Sequence, residues 1–432
     1  MSAQKFTTVS AAREALSGGE TSASALAELQ LATVAVTEAD IGAWQTLDPE
    51  YVRREAARAD AAKCAGALGG IGVGVKDIIA TDDHPTSAGT PIYADHRPSE
   101  DATCVTRLRA SGAYVFGKTV TTALAYMDPS RTRNPWNSAH SPGGSSSGSA
   151  AAVAAGHVLA TIGTQTNGSI IRPAAYCGVV GYKPTVGTIP VAGVHPFAPT
   201  FDTVGTFART VADAARVASA LCDRGRIAPD VAMPSHRPRF AWLSKFPWVE
   251  PDYETLRSLA HALDALRDAA EIVPIAIPSA WKEAKATHRT LMLKEGSEVL
   301  GALQDRERHR LTPAINAAID DGHAISSEAH RDAVVARERG IAFFTGWLDE
   351  YDAVLAPSAP STAPRGLDTT GDPSCCSLWS LLGFPAINIP AGIVDGLPVG
   401  LQLAAPQGRD DSLLSAAAWC EERIAFRGLQ AQ

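Results

Sequence analysis

The sequence contains no CxxC pair, no HExxH run, no basic excess and no apolar stretch long enough to span a bilayer. Its seven cysteines, Cys64, Cys104, Cys177, Cys222, Cys375, Cys376 and Cys420, are odd in number and follow no framework spacing. That pattern fits reduced thiols better than disulfides or a zinc site, and none of them lies beside a histidine in a nucleophile pattern. The eleven histidines show no ligand spacing, so a metal site is not expected. With 38 Lys and Arg against 46 Asp and Glu the net charge is −8, which argues against nucleic acid or an anionic membrane as partner. Met1 to Glu20 lacks the apolar core of a signal peptide, and no run approaches the roughly 18 apolar residues of a membrane span. A cytoplasmic protein is therefore expected.

What the sequence does have is an ordinary globular composition, 45% hydrophobic and 19% charged over 432 residues, enough to bury a substantial core. Residues 8–65 read as helices, one capped by Thr21 or Ser22 and another started by Pro49. The β-branched run Ile71 to Ile79 reads as a strand, Ala102 to Ala110 as a helix, and Ala113 to Phe116 as a strand. After residue 178, Val179 to Pro184 looks like strand and turn, and Phe201 to Gly205 leads into a helix from Val211 to Cys222. Three prolines within residues 224–239 mark a boundary. A short strand follows from Arg239 to Leu243. The amphipathic stretches Tyr253 to Ala270, Ala280 to Gln304 and Ser327 to Leu348 make the middle section mainly helical. Ala353 to Ala356, Pro385 to Pro390 and Leu397 to Leu403 return to strand. Strands alternating with helices indicate an α/β fold, and no internal repeat is evident.

Gly112 to Thr119 matches the G-x-x-x-x-G-K-[ST] phosphate loop in letters alone. Such a loop must follow a strand and wrap phosphate with backbone N–H groups, whereas here the four intervening residues themselves read as the strand. The stretch that organises the chain is Gly143 to Arg172. Gly143-Gly144-Ser145-Ser146-Ser147-Gly148-Ser149 opens it, and Gly163-Thr164-Gln165-Thr166-Asn167-Gly168-Ser169 closes it. Between them the small apolar run from Ala150 reads as one buried element of helical character, too apolar for a flexible linker. Glycines admit close approach to main-chain N–H groups, and serines supply hydroxyls that donate or attack.

Lys76, inside Val73-Gly74-Val75-Lys76, has two readings. Its stem can pack while its head reaches solvent or pairs with Asp77, or it can be a functional base. A serine is a poor nucleophile until a base takes its proton, and a neutral amine can serve. Such a lysine must lose roughly three pKa units, about 4 kcal/mol, which burial can supply.

With these motifs in order, the sequence resembles the amidase signature family. The similarity runs from Gly72 to Asp77 through Gly117-Lys118-Thr119, Gly143 to Pro173 and Phe201 to Gly205, and resumes at Trp379 to Gly383 and Gly396 to Gln402. The resemblance implies a large mixed sheet surrounded by helices. It also implies a single domain over 1–432: N-terminal helices (1–65), a signature core with the catalytic residues (66–223), a mainly helical covering section (224–350) and a C-terminal return to the sheet (351–432). Carried over, it makes Ser169 the nucleophile, Lys76 the base and Ser145, after a cis Gly144–Ser145 peptide, the relay. The oxyanion hole falls on the N–H groups of Thr166, Asn167, Gly168 and Ser169. The implied reaction is hydrolysis of a linear amide through an acyl-enzyme, with no cofactor.

Two departures matter. Many members carry Asp where this chain has Gln165, and Asn167 replaces a glycine. The Gly-Thr-Gln-Thr form with Arg172 three residues after Ser169 looks like the malonamidase-like branch, in which that arginine binds a substrate carboxylate; otherwise Arg172 is structural. Gly144, Met127 and Trp379 are further candidates for substrate contact, with ordinary packing as the alternative. The expectation is a serine hydrolase of a small carboxylate-bearing monoamide. Aryl amides, esters, carbamates or urea-like compounds are alternative substrates. A non-catalytic or transamidase-complex subunit is a further alternative, and the middle helices either cover the pocket or form an oligomer contact, with a homodimer possible.

Overall fold

Runs in which every residue is buried form the centre of the molecule. The computed structural model describes residues 6–429. Within them the strands are β1 (Trp44–Thr46), β2 (Gly72–Lys76), β3 (Tyr114–Thr119), β4 (Ala160–Gln165), β5 (Val180–Lys183), β6 (Thr203–Ala208), β7 (Arg239–Trp242), β8 (Glu271–Pro274), β9 (Ala353–Pro357), β10 (Ala386–Val394) and β11 (Leu397–Ala404). They make one eleven-stranded sheet in the order β1-β3-β2-β4-β6-β5-β10-β11-β9-β7-β8. Strands β2, β3 and β4 are buried along their whole length and parallel to one another, as expected of strands covered by helices on both faces. The remaining centre is antiparallel, so the sheet is mixed.

Because β2 and β4 run in the same direction, their carboxyl ends lie at the same edge. Lys76 ends one and Gln165 the other. Open α/β sheets place their ligands at such ends.

Several expectations are adjusted. The element expected from Ala150 to Ile162 is two: a helix Ser147–Ala154, a turn at Gly156 with φ +77°, then β4. The N-terminal region is not purely helical, since β1 pairs with β3. Gly117, Lys118 and Thr119 lie inside β3, and the fully buried Lys118 donates to Ile79 O and Thr86 Oγ1, each at 2.6 Å. This is a wall of the core, with no phosphate loop. The middle section contributes β7 and β8, joined through the helix Tyr253–Arg267, to the sheet edge before the helices Pro313–Ala324 and Ser327–Trp347 pack against Ala284–Glu307. All seven cysteines are buried and unpaired. Among the described residues no helix is long and apolar enough to cross a membrane.

Candidate active site

Lys76 is fully buried, and its ammonium nitrogen has two hydroxyl partners: Nζ donates to Ser145 Oγ at 2.7 Å and to Thr164 Oγ1 at 2.8 Å. Taking an ammonium out of water disfavours its charged form. Burial therefore pushes this amine well below the ordinary lysine range, with the nearby Asp202 charge opposing. The expected pairing with Asp77 is not what forms: the Asp77 carboxylate accepts from Ser87 N at 3.0 Å and from the Ser87 hydroxyl, and lies 3.8 Å from Lys118.

Ser145 is delivered by the turn ahead of the helix Ser147–Ala154. Gly143 has φ +82°, and the Gly144–Ser145 peptide is cis. A Cβ on Gly144 would come within 2.7 Å of Thr370 and 3.1 Å of Thr122, so the chain must lack a side chain there.

Ser169 sits in the turn between β4 and the helix Ile171–Cys177. Gln165 closes that turn. Its Oε1 accepts from Ile170 N at 2.8 Å and Ile171 N at 3.0 Å, satisfying the exposed donors of the helix start. The intervening N–H groups, those of Thr166, Asn167, Gly168 and Ser169, make no hydrogen bond among the described residues, and neither does the Ser169 hydroxyl. Four consecutive free donors beside a free hydroxyl, in a turn this enclosed, form an anion-receptive cradle. The structure thus joins Lys76 to Ser145 and leaves Ser169 open, with no hydrogen bond between Ser145 and Ser169.

The other expected residues fall out differently. Arg172 is 3% exposed; its Nη1 donates to Gly371 O at 2.6 Å and Nη2 to Gly144 O at 2.7 Å. Its Nε is buried without a partner, and no carboxylate pairs with the guanidinium among the described residues. Met127 is 51% exposed, in a loop tied to the middle section by Thr312 Oγ1 donating to Asp128 at 2.8 Å. Trp379 is buried in the core against Phe246, ring centroids 6.3 Å apart.

Three further residues contact the site, none of them singled out in the sequence. Thr164 is the amine's second partner. Asp202 holds the Thr166 hydroxyl at 2.6 Å and accepts from Phe197 N and Ala198 N; burial pushes its carboxyl up to about 6. His288, from the middle section, places Nε2 3.1 Å from Thr166 O. Thr164 and Asp202 lie within the motifs that carry the family resemblance, whereas His288 lies outside them, on a helix of the middle section that reaches the turn.

Residues 25–414 match the family model described as Amidase. The glutamyl-tRNA(Gln) amidotransferase A subunit of Roseiflexus sp. (strain RS-1) is 34% identical over 464 residues of alignment, covering 94% of each chain. Among solved structures, the native peptide amidase from Stenotrophomonas maltophilia superposes with a TM-score of 0.82 at 29% identity, covering 98% of both chains. The glutamyl-tRNA(Gln) amidotransferase A subunit of Thermotoga maritima gives 0.79 at 26% identity, over 98% of this chain and 95% of that one.

Proposed function

The chain belongs to the amidase family and is an amidohydrolase, and from that premise we propose that it cleaves the C–N bond of a small linear amide with Ser169 as nucleophile, Ser145 as relay and Lys76 as base. The observation that carries this reading is the buried Lys76 amine held by two hydroxyls beneath a turn whose four N–H groups are free. When the amine is neutral its lone pair can accept a proton from Ser145, which takes one from Ser169 as Ser169 Oγ bonds to the substrate carbonyl carbon. Negative charge gathers on the carbonyl oxygen, where the turn's N–H groups stabilise it; one such donor is worth about 3 to 4 kcal/mol. The proton on Lys76 returns through Ser145 to the leaving nitrogen, the C–N bond breaks, and ammonia or an amine departs. Water then attacks the ester and loses its proton along the same route, and Ser169 regains its own.

The finer reading is a carboxylate-bearing monoamide of the malonamate type. It is supported by Arg172: a buried guanidinium with an unpartnered Nε and, among the described residues, no carboxylate in ion-pair contact would gain one from a substrate acid, adding to the more distant charge of Asp372. Ammonia release from a neutral diamide and from its monoacid should favour the monoacid in wild type, and Arg172→Lys should erase most of that preference. An unchanged ratio would reject the carboxylate reading.

A second reading is favoured by the near full-length similarity to amidotransferase A subunits. In it the same site supplies ammonia to a transamidase complex. Stoichiometric partner proteins copurifying with a chain that lacks free amidase turnover would favour it over the stand-alone enzyme.

A further inference from the structure

Two of the four free N–H groups, those of Asn167 and Gly168, are aimed from outside the Ser/Gly segment. In a trans peptide the C=O and the following N–H point in opposite directions, so whatever holds a carbonyl aims the next amide. Gly144–Ser145 is the one cis bond among the described residues, so the peptides of the 166–169 turn are trans. Their three carbonyls are each held by a different donor. Thr166 O accepts from His288 Nε2 at 3.1 Å, Asn167 O from the Ser380 hydroxyl, and Gly168 O from Arg172 N at 2.9 Å. The amides on the reverse sides of these peptides belong to Asn167, Gly168 and Ser169, and all three are unpaired.

Two of these donors come from beyond the signature stretch. Ser380 belongs to the short helix Ser377–Leu382, and His288 to the helix Ala284–Glu307. His288 is 1% exposed, and its ring lies 4.7 Å from that of Phe201, next to the Asp202 that grips the Thr166 side chain. Thr166 is therefore fixed at its hydroxyl by one element and at its carbonyl by another. A carbonyl can only accept, so Nε2 carries the hydrogen. Burial keeps the ring neutral by lowering it to about 4.

We infer that His288 is a positioning residue for amide hydrolysis: by holding the Thr166 carbonyl it turns the Asn167 N–H toward the carbonyl oxygen of the substrate. The inference rests on the assignment of Ser169 given above. It also gives the middle helical section a role in the reaction beyond covering the site. Without the His288 donor, the Thr166–Asn167 peptide can rotate and present its carbonyl where an N–H is needed, which opposes the developing negative charge instead of stabilising it.

The test compares wild type with His288→Phe, which keeps a ring against Phe201 but has no donor, and His288→Gln, which restores an N–H at similar reach. His288→Leu replaces His288→Phe if the latter does not fold by thermal melting. The readouts are kcat and KM for an amide, the inhibition constant of an alkyl boronic acid that forms a tetrahedral anion on the serine, and that of the product acid, which does not. The donor-deleted variant is expected to lose at least about tenfold in both kcat and boronate affinity, with KM and product affinity within about twofold, and Gln should recover most of the loss. Unchanged kcat and boronate affinity, equal weakening of boronate and product, or no recovery with Gln would each overturn the inference. Ser169→Ala is run alongside: if it keeps wild-type turnover, the nucleophile assignment itself fails, whatever the His288 variants do.

Discussion

Lys76 shows how one residue's environment sets its chemistry. Its amine is stripped of water by β2, β3 and β4 and meets Ser145 and Thr164. A base works when it is unprotonated, so turnover should rise with pH through the depressed Lys76 pKa and reach its plateau well below the ordinary lysine range of 10.5. Asp202 opposes the depression, since its negative charge favours the ammonium. Asp202→Asn should therefore move the rising limb of the kcat/KM profile to lower pH. A shift to higher pH, or none, would show that the two groups are not coupled as described. Lys76, Ser145 and Ser169 received their proposed roles from the family resemblance; composition alone drew attention to the Ser/Gly clusters and to a strand-embedded lysine. Thr164, Asp202 and His288 did not stand out: a threonine in a strand and a histidine in an amphipathic helix look like ordinary packing, and His288 meets Thr166 across 122 residues of chain.

At the scale of an element, the turn between β4 and the helix Ile171–Cys177 is where the proposed chemistry gathers. Gln165 closes it from within, and the loop around Pro373 and Cys376 presses on it from outside. A Cβ on Gly168 would approach Pro373 Cβ to 2.9 Å and Cys376 Sγ to 3.3 Å. Gly168→Ala must shift the turn or the loop, and the turn holds the amides. We expect kcat to fall by about a hundredfold, in line with loss of one oriented donor, while KM changes little. Wild-type kcat from a folded Gly168→Ala enzyme would contradict the view that these amides must stay where they are. The sequence pattern located the helices Tyr253–Arg267, Ala284–Glu307 and Ser327–Trp347 to within a few residues and passed over Pro313–Ala324. It hid β4, whose Ala160-Thr161-Ile162-Gly163-Thr164-Gln165 continues an alanine-rich helix with no change in apolar character, so that only Gly156 marks the break.

For the whole molecule, the sheet is both scaffold and solvent barrier. It buries three lysines completely, Lys76, Lys118 and Lys183. Lys183, at the end of β5, donates to Pro184 O at 2.9 Å. Burial lowers it from 10.5 to about 7, with Asp410 opposing. Between those values the unfolded chain binds a proton that the folded chain does not, so this residue's contribution to stability is lost as pH falls from 10.5 to about 7 and is constant below. In urea unfolding, wild type should gain stability relative to Lys183→Met as pH is raised from about 7 to about 10. Parallel curves would mean that Lys183 is not buried as an uncharged amine. The α/β class was legible from alternating strands and helices, and the mixed sheet from family resemblance. Which distant segments converge on the Ser169 turn was not, because the sheet order places strands remote in sequence side by side and local pattern carries no record of that.

Ser169 is the group proposed to take the acyl chain, and peptide mapping by mass spectrometry after exposure to a fluorophosphonate reads this directly. The adduct is expected on Ser169, and Ser169→Ala should remain unmodified while Lys76→Met, lacking the base, reacts far more slowly than wild type. An adduct on another residue, or undiminished modification of Ser169→Ala, would contradict the account.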